Sequence, residues 1–211
     1  MLMTTQPKFI MSQGIRTSVF LCLLLAILIC NGCLTRPALR RETFAFQSPA
    51  DAKTSSSGPV VAVSFATVSP LFDKSSFTYR TGPQSYESDP YAGFMVSPGE
   101  AIAIAMRAHL LDSGRFSDVA EPGSFMRGNE FIEAYVSELY GDFREPGHPV
   151  AVLSMRISVY NSRNNNHEPI LQKDYQERIP LQKNTAADLM TGWNTALGQV
   201  MTQFVSDLPA Q

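Results

Sequence analysis

The stretch SPGEAIAIAMRAHLLDSG, residues 97–114, decides what kind of fold this chain can make. Its centre, AIAIAM at residues 101–106, alternates small and branched apolar residues and alone would suit a strand. The residues before it argue otherwise. Ser97, Pro98, Gly99 and Glu100 form a capping box, with proline at the first helical position, where its missing N–H leaves nothing unpaired. Counted from that cap, Ile102, Met106 and Leu110 recur at helical spacing, joined by Ile104, Ala108 and Leu111. Gly114 stands where helix ends favour glycine. The segment is expected to be a helix, so the chain mixes helices with strands.

A second helix is expected from about Thr185 to Leu208, where Leu189, Trp193, Leu197, Val200, Phe204 and Leu208 make one apolar stripe and Pro209 ends it. Strands surround the first helix. VVAVSFATV, residues 60–68, is β-branched and bounded by Gly58-Pro59 and Pro70, as a buried strand should be. Residues 77–96 read as a hairpin turning near Gly82-Pro83-Gln84. Residues 131–140 alternate, and PVAVLSMRISVY, residues 149–160, does so more clearly, with Ala151, Leu153, Met155, Ile157 and Val159 on one face. After a polar turn, ILQKDYQERIPL at residues 170–181 places Leu171, Tyr175 and Ile179 one way and polar residues the other. These last two strands are expected to pair as a long antiparallel hairpin with one wet face. The expected fold is a single α/β domain of the α+β type over residues 59–211. It has a mostly antiparallel sheet and two amphipathic helices on one face.

The chain has 211 residues and a net charge of −2. Beyond residue 33 it carries fifteen basic side chains against nineteen acidic ones. Mild acidity argues against nucleic acid, which needs a basic patch to neutralise phosphates.

All three cysteines, Cys22, Cys30 and Cys33, fall in the first 33 residues, which have the shape of an export signal. Lys8 and Arg16 precede SVFLCLLLAILIC, residues 18–30. This apolar run of about 12 residues suits a signal peptide and is short for a membrane-spanning helix. Asn31, Gly32 and Cys33 follow, and the ending resembles a bacterial lipobox, although Cys30 stands where leucine is commonest. In that reading residues 1–32 are removed and Cys33 is acylated, palmitate included. An uncleaved membrane anchor is the alternative. Leu34, in place of aspartate, favours the outer membrane by analogy with enteric lipoproteins. Residues 33–58 read as the acylated cysteine and a flexible tether, with ETFAF at 42–46 able to pair at a sheet edge and QSPADAKTSSSGP at 47–59 as connector.

The search for chemistry finds little. His109, His148 and His167 lack the paired spacing of a zinc site, and no nucleophile elbow or phosphate-binding glycine loop is present. No catalytic residue, metal site or cofactor is expected. Glu133, Glu138 and Asp142 would pair only if the fold gathered them. The hairpin is more suggestive, since Phe77, Tyr79, Tyr86, Tyr91 and Phe94 cluster around Arg80. Aromatic residues with arginine are what contact surfaces favour. Tyr79, Arg80, Tyr86 and Tyr91 are therefore the candidate partner-binding residues, with packing of the hairpin as the alternative; Phe94, beside the helix cap, is expected in the core.

The order of these features, with Tyr91, Phe94 and Pro98 before the first helix and Leu110, Leu111, Ser113, Gly114, Phe116 and Val119 after it, resembles the ABC-type transport auxiliary lipoprotein family. The resemblance runs from about residue 42 to 208, and Phe94 replaces the tryptophan usual in that family. It implies a non-catalytic, outer-membrane-anchored lipoprotein facing the periplasm, which docks a mammalian-cell-entry (MCE) type lipid transport apparatus. The implied partners are an MCE protein with its ABC permease and ATPase, and the membrane through the lipid on Cys33; homo-oligomerisation is left open. An assembly or activator lipoprotein for lipopolysaccharide export or cell-wall synthesis is the alternative.

Overall fold

The computed structural model describes residues 40–47, 58–121, 124, 130–161 and 168–209. Residues 1–32, read above as a signal, together with Cys33, most of the 33–58 segment and His167, lie outside them. Eleven elements follow in order: β1 (Glu42–Phe44), β2 (Val60–Val63), β3 (Thr67–Val68), β4 (Ser76–Arg80), β5 (Tyr86–Phe94), α1 (Pro98–Asp112), β6 (Asp118–Ala120), β7 (Glu130–Asp142), β8 (Val150–Asn161), β9 (Pro169–Pro180) and α2 (Ala186–Asp207).

Strand β7 organises the sheet. Along one edge it pairs antiparallel with β8, which pairs antiparallel with β9. Its other edge is shared end to end by three short strands, all parallel to it: β2 beside Glu130–Ile132, β3 beside Tyr135–Val136, and β4 beside Gly141–Asp142. β6 extends the sheet beyond β2, and the antiparallel β5 followed by β1 extends it beyond β4. The long strands are thus antiparallel as expected, and the parallel pairings are contributed by segments too short to announce a direction in sequence.

The alternation in β7 changes phase partway, and the register shows why. Ile132, Ala134 and Val136 face the same side as Val159, Ile157 and Met155, whereas the odd-numbered Leu139 and Gly141 continue that side opposite Leu153 and Ala151. An irregularity between Val136 and Glu138 absorbs the extra residue, Ser137, whose hydroxyl donates to the Ser154 carbonyl at 3.2 Å. A bulge of this kind re-aims every following side chain.

Both helices cover one face. Ser97 caps α1, its Oγ accepting from the Glu100 amide at 3.3 Å, and Pro98 starts the helix. Ile102, Met106 and Leu110 are fully buried, but Ile104 is 48% exposed, because the buried arc is centred on the 102–106–110 line and Ile104 falls outside it. Thr185 caps α2, and Leu189, Trp193, Leu197, Val200 and Phe204 are buried against the sheet. Ser113 follows α1, and Gly114 then takes φ 66°, the left-handed conformation that suits glycine.

An aromatic cluster joins the parts. The Trp193 ring meets Phe77 at 4.9 Å edge-on and Phe94 at 5.5 Å stacked, while Phe77 and Phe94 contact each other at 4.8 Å. Trp193 Nε1 donates to the Val152 carbonyl at 3.1 Å. β1 adds two further rings, Phe44 on Phe77 and Phe46 on Phe94. The Met95 amide donates to the Phe44 carbonyl at 2.9 Å, and the Gln47 amide to Asn194 Oδ1 at 2.8 Å. A Cβ on Gly93 would stand 2.1 Å from the Ser75 carbonyl oxygen and 2.4 Å from the Arg41 guanidinium, so only glycine lets these segments cross. The sheet therefore begins at Glu42, ahead of residue 59, and the Ser-rich 48–57 segment connects two strands of the fold.

Replacing Trp193 by alanine removes the shared ring and its hydrogen bond to the Val152 carbonyl. Urea denaturation of the chain lacking its signal should show a loss of about 3–5 kcal/mol; a loss below about 1 kcal/mol would contradict the central role given to this ring.

Candidate functional site

The hairpin of β4 and β5 does place its aromatic residues together, but on two sides of the sheet. Tyr79 lies half-buried, stacked on Phe143 at 4.8 Å, and its hydroxyl donates to Asp89 at 2.5 Å. Burial, then the neighbouring Asp89 carboxylate, pushes the Tyr79 hydroxyl well above its ordinary pKa. Asp89 also accepts from the Tyr91 and Ala92 amides, at 2.7 and 3.0 Å, and so shapes the irregular stretch of β5. Arg80 is partly buried and folds over its own turn, donating to the Gly82 and Pro83 carbonyls at 3.3 and 2.7 Å. Tyr86 and Tyr91 are the exposed members, at 43% and 48%. Phe94 is in the core, at 4%.

On the face away from the helices, Tyr86 belongs to a second aromatic group that sequence reading missed. Phe72, from the loop after β3, packs on Tyr140 at 5.5 Å and on Tyr86 at 5.9 Å, and the Arg80 guanidinium lies 5.7 Å from the Tyr86 ring centre and 6.0 Å from that of Tyr140. This is cation–π distance. Beside it stands Asp142, 6% exposed. Its carboxylate accepts from Arg144 through two nitrogens, at 2.8 and 2.7 Å, and from Arg178 at 2.9 Å. Hydrogen bonding by Arg144 holds the Asp142 carboxyl well below the usual carboxylate range, against the opposing effect of burial, with Arg178 assisting. Two guanidinium groups, Arg144 and Arg178, thus share one carboxylate, and Arg80 is level with Asp142 on the neighbouring strand. No local spacing announces this: Asp142 and Arg178 are 36 residues apart, on strands separated by β8.

Further along the same face the polar side chains form rungs. Glu138 accepts from Ser154 at 2.6 Å and Gln176 at 3.3 Å, Arg156 pairs with Asp174 through two bonds of 2.8 and 2.9 Å, and Gln172 donates to Ser158 at 3.1 Å. Glu133, Glu138 and Asp142 occupy separate rungs, so no acid–base pair is assembled from them. A shallow groove of about 520 Å³ lies over this region, lined by Phe65, Glu133, Tyr135, Arg156 and Ser158 among others. His109 sits on α1, its pKa lowered by burial, and His148 pairs across a turn with Glu145 at 3.6 Å. Among the described residues no group of three His, Cys, Asp or Glu side chains is arranged to hold a metal ion. Among the described residues, too, no helix is long and apolar enough to cross a membrane.

The residues that carried the family resemblance prove to be joints of the fold. Phe94 packs on Trp193, Pro98 opens α1, and Phe116 and Val119 are fully buried beyond Gly114, with the Val119 carbonyl accepting from Arg107 at 2.7 Å.

No protein-family model and no curated protein matches the sequence. Solved structures do match in fold. A Xanthomonas campestris protein described as family-model DUF330 superposes with a TM-score of 0.62 at 16% identity, covering 79% of this chain and 91% of that one. A second structure, of an uncharacterized protein, gives a TM-score of 0.58 at 10% identity, covering 80% of this chain and 100% of the other. The chain shares the fold of both.

Removing the Asp142 charge should expose the electrostatics of the arginine group. A carboxyl whose folded pKa is depressed stabilises fully above its unfolded value and loses that contribution as pH falls toward the folded one. Asp142→Asn should therefore be less stable than the unmodified chain at pH 7, and the gap should narrow below about pH 4. Denaturation midpoints across pH 2–7 measure this; a gap independent of pH would assign the effect to packing.

Proposed function

We propose that this protein is a non-catalytic auxiliary lipoprotein of an MCE-type ABC lipid transport system, held at the outer membrane by acyl chains on Cys33 and docking the apparatus there through its folded domain. The observation that carries the reading is the combination of a lipobox-like ending at Cys33 with an ordered run of motif residues, Tyr91 to Val119, that the structure places at the joint of hairpin, first helix and β6. The fold held in common with the DUF330 protein supports it.

The docking surface in this reading includes the exposed parts of the hairpin, Tyr86 and Tyr91, with Tyr79 and Arg80 setting the hairpin's shape from beneath. Rigid aromatic side chains bury large areas at low entropic cost, which suits them to a contact that must form reversibly.

Two experiments test it. Cys33→Ser should abolish acylation and release the protein from membranes without altering its denaturation curve; unchanged retention after detergent-free fractionation would defeat the lipoprotein reading. Crosslinking of the tagged protein in intact cells should recover an MCE protein with its permease or ATPase. Recovery of lipopolysaccharide-export or wall-synthesis proteins instead would keep the anchor and overturn the transport role.

A further inference from the structure

Strand β9 leaves one edge of the sheet open. It pairs with β8 along its length, and among the described residues no strand lies on its other side. The direction of its free groups follows from one bond. The Leu181 amide donates to the Pro149 carbonyl at 2.8 Å, in the register that continues the β8–β9 ladder. Bonded and unbonded pairs alternate along an antiparallel ladder, so the odd-numbered residues of β9 bond to β8. The even-numbered residues Gln172, Asp174, Gln176 and Arg178 turn their amides and carbonyls to the open edge. Pro180 has the same parity, so its missing N–H also falls on the outer side, where proline takes nothing from the sheet.

Such edges are commonly kept short, bulged or guarded by free charge. β9 spans twelve residues, and its pairing with β8 is regular from Leu171 to Pro180. Most of its charges are engaged within the molecule, Asp174 by Arg156, Arg178 by Asp142 and Lys173 by Asp207. Glu177 accepts from Gln203 at 2.6 Å, and among the described residues no cation pairs with it. Helix α2 covers the face of the strand, where Phe204 meets the Tyr175 ring at 6.3 Å and Asp207 accepts from the Tyr175 hydroxyl at 2.9 Å.

The strand is complementary to itself. Turned about a two-fold axis through Tyr175, a second β9 runs antiparallel beside the first. Lys173 then stands opposite Glu177 of the second copy, and Leu171 opposite Ile179, each match occurring twice. Gln172 with Arg178, and Asp174 with Gln176, exchange the open amides and carbonyls, about eight hydrogen bonds in all. A slip of two residues is the smallest that keeps those groups paired. One way sets Asp174 opposite itself and Leu171 opposite Glu177. The other matches Asp174 with Arg178, both already engaged, but sets Lys173 opposite Ile179 and Tyr175 opposite Glu177. Opposite charges and apolar pairs stabilise a cross-strand contact, whereas like charges directly opposed destabilise it.

We infer that β9 is a self-association edge, through which two copies of this chain join antiparallel about a two-fold axis at Tyr175 into one continuous sheet. A contact of this symmetry closes on itself and stops at two copies. The β4–β5 hairpin lies beyond the other edge of β7, so the dimer leaves both hairpins free. The inference stands apart from the lipoprotein reading.

The full chain carrying Lys173→Cys and Glu177→Cys together is purified and exposed to a mild oxidant. These positions meet across the axis but lie about 13 Å apart within one chain, beyond disulfide reach. Non-reducing electrophoresis should show covalent dimer at least about fivefold above each single variant and above the unmodified chain, whose own cysteines set the baseline. Adding Gln176→Pro, which removes an outward amide and spares the β8 ladder, should return the dimer to that baseline. A second pair, Asp174→Cys with Gln176→Cys, repeats the test on the polar face and leaves the contacts of Lys173 and Glu177 with α2 whole. Failure of both pairs to exceed the baseline overturns the inference, as does equal dimer from Lys173→Cys alone, which marks an unspecific contact. A ladder of larger species in place of dimer overturns the closed two-fold.

Discussion

The fold depends on one indole. Trp193 lies on α2, yet its ring is wedged between Phe77 of β4 and Phe94 of β5, and its N–H is bonded to the backbone of β8. Each partner comes from a different part of the chain, more than 40 residues from the tryptophan. Aromatic side chains bury large apolar areas, and edge-on or offset contacts add about 0.5–1.5 kcal/mol per pair beyond area alone. The nitrogen adds direction, because a buried N–H must be paired and this one is bonded to the Val152 carbonyl. Helix, hairpin and long strands are thereby set in one arrangement.

From this centre the rest of the molecule divides by face. The helix side is apolar and continuous, from Val61 through Ile132 and Leu153 to Leu197. The far side carries charge and hydroxyl groups in rungs, closed at one end by the Phe72–Tyr86–Tyr140 group and its arginines. Arg144 and Arg178 are each close to half exposed while Asp142 is almost buried, so the carboxylate is the structural partner and the guanidinium edges remain available. Pairing outweighs the desolvation of Asp142, whose carboxyl stays below its usual range, and removing one partner would leave buried charge uncompensated.

Much of this was legible before the structure. The capping box at Ser97–Glu100 and the stripe on 189–208 located both helices, because a cap and a 3.6-residue period are local signals. The long hairpin of β8 and β9 was equally plain from its alternation. The candidate surface was legible only in composition. Tyr79, Arg80, Tyr86 and Tyr91 read alike as a cluster, whereas the structure separates a half-buried Tyr79 and a folded-back Arg80 from the exposed pair, because strand pleating sends neighbours to opposite faces and the Asp89 irregularity alters the phase.

The sequence by itself determined the two helices and the long strand segments, since each of these follows from local pattern. Only the tertiary structure decided that β7 is the centre, that three short strands share its edge in parallel, and that Phe44 and Phe46 draw the start of the chain into the sheet. It alone brought Asp142 to Arg178. The physical reason is common to all of these. Pairing of a two- or three-residue strand, packing of a ring and capture of a carboxylate are decided by partners distant in sequence, and no residue carries a local sign of a partner it meets only after the chain has folded.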